Sequence, residues 1–164
     1  MIRQHVVKVG MADLNIAADG AVLRTTGLGS CVGLTLYDGQ AKIAGMVHVM
    51  LPTSQIAREA EVKKAKYADT AIPALVELML VSGAAAGRMT AKMAGGAQMF
   101  AFAAQNDSMR IGPRNVESCR TVLSKFAIPL LAEDTGGSSG RTIEIDSASG
   151  VLTIRSVQLG IKEI

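Results

Sequence analysis

Aromatic side chains are scarce in this chain of 164 residues, which has two tyrosines, three phenylalanines and no tryptophan. Proteins that bind single-stranded nucleic acid stack bases on aromatic rings, so the composition disfavours that class. The net charge is only +3, and the densest basic stretch, residues 63–66, follows Glu59 and Glu61. Such a stretch is typical of a solvated face with internal salt bridges, and we expect no nucleic-acid partner.

Cysteine and histidine are equally scarce, with two of each in the whole chain. Cys31 and Cys119 are far apart and have no Cys-x-x-Cys spacing, so the sequence offers no zinc signature. We therefore predict no metal and no cofactor, and we judge each cysteine by its own surroundings.

Long apolar runs are also missing. Residues 1–5 do not lead into an uninterrupted apolar segment, which argues against a secretory signal. The most apolar stretch, residues 71–86, is interrupted by Pro73, Glu77 and Gly83 and falls short of the ~20 residues that a membrane-spanning helix needs. We therefore expect a cytoplasmic protein without membrane insertion, in which both thiols stay reduced.

The remaining composition, 49% hydrophobic and 19% charged, is that of a globular chain, and its length predicts a single domain over residues 1–164. Glycine-punctuated segments rich in β-branched residues predict strands near 5–9, 12–17, 21–26, 31–37, 42–51, 88–94, 128–134, 141–146 and 151–156. Apolar spacing predicts two main helices, one capped by Asp69 or Thr70 and one beginning at Gly112-Pro113, after a polar turn at 105–108. This order favours an α+β fold, a layered sandwich of mostly antiparallel sheet with the two helices packed on it.

The segment Thr25-Thr26-Gly27-Leu28-Gly29-Ser30-Cys31 places a thiol directly after a glycine-bearing turn. Glycine lets the backbone bend sharply, so that N–H groups, here those of Gly29 and Ser30, can converge on one point as an oxyanion hole. The Gly27-x-Gly29 spacing also invites comparison with a dinucleotide-binding loop, but that loop needs a helix after it. Residues 32–37 alternate as a strand does, which argues against a nucleotide site.

A histidine follows at a spacing that brings it near this thiol. If residues 31–37 and 42–51 form a hairpin closed by a two-residue turn at 39–40, Cys31 lies directly opposite His48. A turn one residue earlier keeps both side chains on one face, one diagonal apart, whereas a three-residue loop puts them on opposite faces. The first register is supported by the apolar set that it gathers on the other face, which comprises Val32, Leu34, Leu36, Ile43 and Val47.

An ordinary structural interpretation competes with a catalytic one. A lone cysteine is commonly a small buried hydrophobe, and a lone histidine is commonly a hydrogen-bonded core residue. The alternative is that Cys31 is a thiol nucleophile and His48 its base. Three features bring this interpretation to about equal standing: the glycine turn, the shared strand face and the lack of a metal-binding spacing. From the residues alone both interpretations of Cys31 and His48 stay open. Cys119 lies on an apolar helix face with no histidine near it in sequence, and we predict that it is structural.

The segment 25–31, together with His48-Val49-Met50-Leu51-Pro52, resembles the signature of the chemoreceptor glutamine deamidase family, CheD. Further matching segments occur in family order and extend the resemblance over nearly the whole chain: Lys66-Tyr67-Ala68-Asp69, Gly95-Gly96-Ala97-Gln98-Met99-Phe100, Ile111-Gly112-Pro113-Arg114-Asn115-Val116 and Glu133-Asp134-Thr135-Gly136-Gly137. The main departure is an Ala/Lys/Glu-rich stretch at 54–65.

The resemblance implies a catalytic set of cysteine, histidine and threonine, which corresponds here to Cys31, His48 and Thr25. Spacing alone does not choose between Thr25 and Thr26. The family pattern places the threonine six residues before the cysteine, which gives Thr25.

The resemblance also implies a fold similar to the catalytic domain of deamidating toxins of the cytotoxic necrotizing factor type. The implied reaction converts glutamines on the cytoplasmic helices of methyl-accepting chemotaxis receptors to glutamate through a cysteine thioester. The implied partner is a CheC-type phosphatase. One alternative is a non-enzymatic module that docks on that phosphatase and regulates it, and another is a thiol protease or transglutaminase.

Overall fold

The computed structural model describes residues 4–99 and 110–164. Over these two ranges the chain forms ten strands, which are β1 Val6–Lys8, β2 Leu14–Ala17, β3 Val22–Leu28, β4 Val32–Asp38, β5 Ile43–Val49, β6 Met89–Gly95, β7 Leu130–Thr135, β8 Arg141–Asp146, β9 Leu152–Ser156 and β10 Gly160–Glu163. Its helices there are α1 Ala68–Val81 and α2 Ile111–Lys125, with short 3₁₀ helices at Ser54–Ile56, Lys64–Lys66 and Ala86–Arg88. The polar turn predicted at 105–108 lies outside the described residues.

The strands form two five-stranded sheets. Sheet 1 has the order β1-β3-β8-β9-β10, and sheet 2 has the order β2-β5-β4-β6-β7. In the described ranges β1 pairs with β3 and β6 with β7 in parallel, and the other neighbouring strands are antiparallel. The predicted α+β class with mostly antiparallel pairing is therefore confirmed, although each sheet as a whole is mixed.

Two apolar layers hold sheet 2 between the helices and sheet 1. Leu34, Leu36 and Val47 lie on one face of β4 and β5 and pack in a cluster with residues of α1 and α2. Met46 lies on the other face and packs between the sheets with residues of sheet 1 such as Ile143. Because side chains alternate along a strand, the same two strands supply both layers. Residues on the Met46 face of β5 therefore lie between the sheets.

Glycine permits close approach between these layers. A Cβ added to Gly45 of β5 would lie 2.8 Å from the Sδ of Met79 on α1. A Cβ added to Gly33 of β4 would lie 2.4 Å from the Cδ1 of Ile143 on β8. Both faces of sheet 2 thus contact their neighbours at points where a larger residue would force a shift.

The β4–β5 hairpin differs from the predicted two-residue turn. Asp38 pairs with Ile43, so residues 39–42 form the loop and every pair along the hairpin is displaced by two residues. The predicted direct pairing of Cys31 with His48 is therefore wrong, because His48 pairs with Gly33. Since side chains alternate with a period of two, a displacement by two keeps each residue on its predicted face.

The side chain of Asp38 explains the longer loop. Its Oδ1 accepts the backbone N–H groups of Gln40 at 3.0 Å and Ala41 at 3.1 Å, which gives the loop its own hydrogen bonds. Lys42 then closes the loop with a left-handed φ of 57°. Aspartate commonly stabilises turns in this way, and the effect outweighed the two-residue turn suggested by glycine.

The start of α1 also differs from the prediction. Tyr67 occupies the cap position, and neither Asp69 nor Thr70 caps the helix. The Asp69 carboxylate instead accepts hydrogen bonds from the N–H and the hydroxyl of Ser54, both at 2.8 Å. This carboxylate therefore anchors the 54–56 turn to the helix.

The remaining elements agree more closely with the sequence. The hairpin predicted from 141–146 and 151–156 is the antiparallel pair β8 and β9. β10 was not predicted, and all its residues are exposed, so it shows no alternation of burial. The helices described in residues 4–99 and 110–164 do not have the length and hydropathy of a membrane-spanning segment.

Candidate active site

β3 and β5 bring a hydroxyl and an imidazole together between the sheets. Thr25 of β3 is 1% exposed and His48 of β5 is fully buried. The Oγ1 of Thr25 lies 2.7 Å from the Nδ1 of His48. Thr26, by contrast, is exposed. The structure therefore places Thr25, and not its neighbour, against the imidazole.

A second hydrogen bond of Thr25 shows which group donates and which accepts in the bond between Thr25 and His48. The Oγ1 of Thr25 also lies 2.7 Å from the carbonyl oxygen of Val9, which can only accept. A hydroxyl has one proton, so Thr25 donates that proton to Val9 and accepts a hydrogen bond from the Nδ1–H of His48. In the neutral imidazole the lone pair is then on Nε2. This nitrogen is buried and has no hydrogen-bond partner among the described residues.

Cys31 lies immediately before β4 and in the same layer as His48. Because His48 pairs with Gly33, Cys31 is a diagonal neighbour of the histidine on the inter-sheet face. Diagonal neighbours are roughly 7–8 Å apart at the backbone and somewhat closer at Cβ. Cys31 is 8% exposed and packs in the inter-sheet core. The structure thus gathers Cys31, His48 and Thr25 between the sheets.

Burial shifts both titratable groups of this site toward their neutral forms. It raises the pKa of the Cys31 thiol above its ordinary value of 9.0, and the residue's own N–H offsets only part of that effect. It lowers the pKa of the His48 imidazole below 6.5. At neutral pH the resting pair is therefore a thiol and a neutral imidazole. A thiol in this state needs a base to remove its proton as it attacks. The lone pair on His48 Nε2 lies in the same layer, but no hydrogen bond joins it to the Cys31 thiol in this structure.

The turn at residues 29–31 presents backbone donors beside the thiol. Its carbonyl oxygens all accept hydrogen bonds from outside the turn: Gly29 O from the Ala97 N–H (2.9 Å), Ser30 O from the Asn115 Nδ2 (2.9 Å) and Cys31 O from the Gly96 N–H (2.8 Å). A peptide group is planar and trans, so a fixed carbonyl points the next N–H to the opposite side. Among the described residues the N–H groups of Ser30 and Cys31 have no backbone acceptor, and the Cys31 N–H lies against its own thiol.

The two predicted oxyanion-hole residues therefore differ. The N–H of Gly29 lies 3.1 Å from the carbonyl of Gly27 and is already engaged. The N–H of Ser30 is available, and the N–H of Cys31 is the second available donor. An oxyanion hole at this turn would use those two groups.

The residues that hold this turn in place have no predicted role in the sequence. Gly95 has a φ of +116°, and a Cβ there would lie 2.2 Å from the carbonyl oxygen of Cys31. Only glycine fits this position, which lets β6 lie directly against the turn. The signal in the sequence was the double glycine 95–96, whereas nothing local pointed to Asn115.

Cys119 has a different environment. It is fully buried on α2 in the apolar layer between the helices and sheet 2. Burial raises the pKa of its thiol to about 12. The predicted structural role of Cys119 agrees with this placement.

The described part of the chain contains no cluster of three or more His, Cys, Asp or Glu side chains that could hold a metal ion. What the site does contain is a buried imidazole held by a hydroxyl, a thiol in the same layer and two backbone N–H groups that have no backbone acceptor in the described ranges. These are the parts that thiol-dependent acyl transfer requires.

Comparison with known proteins gives the family. A family model described as CheD chemotactic sensory transduction matches residues 50–156. The chain is 55% identical over 159 residues to the chemoreceptor glutamine deamidase CheD of Halalkalibacterium halodurans, covering 97% of this chain and 98% of that protein. It is 52% identical over 159 residues to the protein of the same name from Bacillus subtilis, covering 97% and 96%. The chain belongs to the CheD family.

Proposed function

We propose that this chain is a protein-glutamine deamidase that converts glutamine side chains of methyl-accepting chemotaxis receptors to glutamate. The names of its relatives support the substrate class, since those proteins are called chemoreceptor glutamine deamidases. Cys31 is the nucleophile of this proposal, His48 is the base and Thr25 orients the imidazole. The backbone N–H groups of Ser30 and Cys31 stabilise the oxyanion.

The first half of the reaction forms a thioester. His48 Nε2 takes the proton of the Cys31 thiol while the sulfur attacks the carboxamide carbon of the substrate glutamine. The carbonyl oxygen becomes an oxyanion beside the N–H groups of Ser30 and Cys31. The bond from carbon to nitrogen then breaks, and the imidazolium returns its proton to the nitrogen, which leaves as ammonia.

The second half restores the enzyme. His48 removes a proton from a water molecule, whose oxygen attacks the thioester carbon. The carbon–sulfur bond breaks, and the imidazolium returns a proton to the Cys31 sulfur. The substrate side chain is now a glutamic acid carboxyl group, which gives its remaining proton to the solvent, where ammonia takes it up. Each turnover thus adds one negative charge to a receptor helix.

One observation carries this proposal more than any other, namely the bond between Thr25 and His48. Because the hydroxyl proton goes to Val9, Nδ1 must donate, and the free lone pair must be on Nε2. A histidine that served only the core would be expected to have both nitrogens paired, yet Nε2 is buried without a partner among the described residues.

Replacing Cys31 by alanine tests the proposal. We expect Cys31→Ala to abolish ammonia release from a cytoplasmic receptor fragment while the protein stays folded. The matched control is Cys119→Ala, which removes the other buried thiol and should retain activity. Ammonia release that persists in Cys31→Ala would refute the assignment.

Further measurements on the same proteins and receptor fragment separate the alternatives. A thiol protease would cleave the receptor fragment. A transglutaminase would attach an added primary amine to the glutamine side chain, whereas a deamidase would leave a glutamate side chain. Mass spectrometry of the fragment distinguishes these products. A module that only docks on a CheC-type phosphatase would keep its full effect on that phosphatase in Cys31→Ala. We retain the CheC-type phosphatase as a partner of the proposed deamidase.

Two further expectations belong to this proposal. The reaction takes place in the cytoplasm, where the receptor helices that carry the glutamines lie. The fold is similar to the catalytic domain of deamidases of the cytotoxic necrotizing factor type, a prediction supported by the layered α+β architecture.

A further inference from the structure

Asn115, the fifth residue of α2, lies behind the turn that carries Cys31. It is fully buried. Its Nδ2 donates one hydrogen bond to the carbonyl oxygen of Ser30 at 2.9 Å and another to that of Met50 at 3.0 Å. Both N–H bonds of the amide group are therefore used on two backbone carbonyls that are distant from it in sequence.

The other end of the same amide is unsatisfied. The Oδ1 of Asn115 is buried and has no hydrogen-bond partner among the described residues. A buried polar atom without a partner reduces stability, and most such atoms in native proteins are paired. The unpaired oxygen is a cost that the two donated hydrogen bonds must offset, so the position of those two bonds is the informative feature of this asparagine.

The bond to Ser30 fixes the direction of a catalytic donor. The carbonyl of Ser30 and the N–H of Cys31 belong to one planar trans peptide group and point in opposite directions. A hydrogen bond that holds the carbonyl toward α2 therefore holds the Cys31 N–H away from α2, on the side of its own thiol, where it has no backbone acceptor among the described residues.

We propose that Asn115 is a positioning residue, whose amide orients the Ser30–Cys31 peptide so that the Cys31 N–H faces the oxyanion formed during deamidation. The inference rests on the proposed function. Its second bond, to Met50, anchors the chain just beyond His48 at the same amide. Asn115 thus couples the end of the strand that carries the base to the turn that carries the nucleophile, without touching the substrate.

The equivalent bond on the neighbouring peptide comes from the backbone. The Ala97 N–H holds the carbonyl of Gly29 and so directs the N–H of Ser30. Apart from replacement of Ala97 by proline, which has no N–H, no substitution of a side chain removes that bond. Asn115 is consequently the place where one of the two donors can be disturbed by mutation.

Two substitutions and one control test the inference. Asn115→Asp keeps the size of the side chain but replaces the doubly donating NH₂ group by oxygen, and Asn115→Ser is too short to reach both carbonyls. Ser118→Ala is the matched control, because the Ser118 hydroxyl also joins α2 to a backbone carbonyl, that of Pro52 at 2.6 Å. The control loses a bond of the same kind at a carbonyl away from the 29–31 turn.

Two rates are measured for each protein. The first is the rate of deamidation of a receptor fragment, from which kcat per reactive thiol and KM are obtained. The second is alkylation of Cys31 by iodoacetamide, followed by mass spectrometry. Alkylation displaces iodide at a saturated carbon and forms no oxyanion, so it reports the thiol and its base but not the oxyanion donors.

We expect kcat of both Asn115 variants to fall by about 10- to 100-fold, somewhat less than the ~10²–10³ that follows outright removal of an oxyanion donor. KM and the alkylation rate should stay within about twofold of wild type, because the contact between the Cys31 N–H and the oxyanion, which Asn115 supports, is made only in the transition state of deamidation. Ser118→Ala should match wild type in both rates.

Several results would overturn the inference. The inference fails if the Asn115 variants have the same kcat per thiol as Ser118→Ala. It also fails if their kcat and their rate of Cys31 alkylation fall by the same factor. If one Asn115 variant fails to fold, the other decides; if both unfold while Ser118→Ala is stable, the amide serves the fold and the inference is wrong. Failure of the proposed function is distinct, since it would appear as ammonia release by Cys31→Ala.

Discussion

At the scale of single residues, the hydroxyl of Thr25 makes two hydrogen bonds in which it has opposite roles. It donates to Val9 and accepts from His48, so it selects the imidazole tautomer as well as the ring orientation. Serine, which has a hydroxyl but a different shape, could make the same two hydrogen bonds. Valine, which has nearly the shape of threonine but no hydroxyl, could not.

We therefore predict that Thr25→Val lowers kcat for deamidation by roughly 10- to 100-fold, since general base catalysis contributes about 10²–10⁴ and part of it depends on the tautomer. Valine has nearly the shape of threonine and suits a strand, so the protein should remain folded. Steady-state kinetics with a receptor fragment provide the measurement.

Thr25→Ser and Thr26→Val are the controls for this substitution. Serine keeps the hydroxyl and should keep most of the activity, and Thr26 is exposed on the next position of β3. Loss of activity in Thr26→Val, or full activity in Thr25→Val, would contradict the role given to Thr25.

At this scale the sequence predicted which side chains share a layer but not which of them touch. The alternation of strands predicted one face for Cys31 and His48, and that face survived the two-residue change of register. Spacing could not choose between Thr25 and Thr26, because the choice depends on where β3 lies relative to β5. Asn115 had no local signal, since its partners Ser30 and Met50 are 85 and 65 residues away.

At the scale of elements, the β4–β5 hairpin depends on one carboxylate. Asp38 is fully buried and accepts hydrogen bonds from the N–H groups of Gln40, Ala41 and Ala85 and from the guanidinium of Arg88. Burial acts to raise the pKa of this carboxyl, but the hydrogen bonds, led by that from Arg88, outweigh it and hold the pKa well below its usual range. The hairpin that carries His48 is thereby stabilised by a charged side chain.

We predict that Asp38→Asn lowers the free energy of unfolding at pH 7 by about 3 kcal/mol, in line with the loss of charge-assisted bonds at a buried site. A carboxyl whose folded pKa is depressed contributes stability above its unfolded pKa and loses it as the pH falls toward the folded value. The difference between wild type and variant should therefore be full above about pH 5 and shrink below about pH 4. Urea unfolding at several pH values measures it.

The control for this prediction is Asp13→Asn, which neutralises an exposed carboxylate in the loop before β2. It should change the free energy of unfolding by no more than about 0.5 kcal/mol, as is usual for surface substitutions. A gap between wild type and Asp38→Asn that is independent of pH would show that shape, and not charge, makes Asp38 important.

The elements that sequence reasoning placed poorly share a physical cause. β10 is exposed along its whole length, so it lacks the alternation by which strands are found. The start of α1 was missed because Asp69 binds Ser54 instead of the helix end. Both depend on contacts with other parts of the chain.

At the scale of the whole molecule, the candidate site draws on all three layers. Thr25 comes from sheet 1, and His48 comes from the inner strand β5 of sheet 2. Cys31 comes from the turn just before β4, and Asn115 comes from the helix layer. Composition and periodicity predicted that such layers exist. They could not predict the distances between layers, because close approach depends on single glycines at positions that only the topology defines.

Gly112 sets one of these distances. A Cβ added there would lie 2.2 Å from the carbonyl oxygen of Ala97 and 2.7 Å from that of Gly96. Both atoms belong to the backbone, so no change of rotamer relieves the contact, and α2 would have to move away from sheet 2. Helix propensity alone favours alanine over glycine by roughly 0.5–1 kcal/mol, whereas overpacking typically costs about 1–3 kcal/mol.

We therefore predict that Gly112→Ala destabilises the protein by about 1–2 kcal/mol, because the overpacking term exceeds the gain in helix propensity. Deamidation should fall with it, since the displaced turn of α2 carries Asn115. Gly87→Ala is the control: a Cβ at Gly87 meets no atom within 4 Å, so this substitution should be neutral or slightly stabilising. Denaturant unfolding of the two variants decides the matter, and a Gly112→Ala protein as stable as Gly87→Ala would show that the helix layer does not depend on this contact for its position.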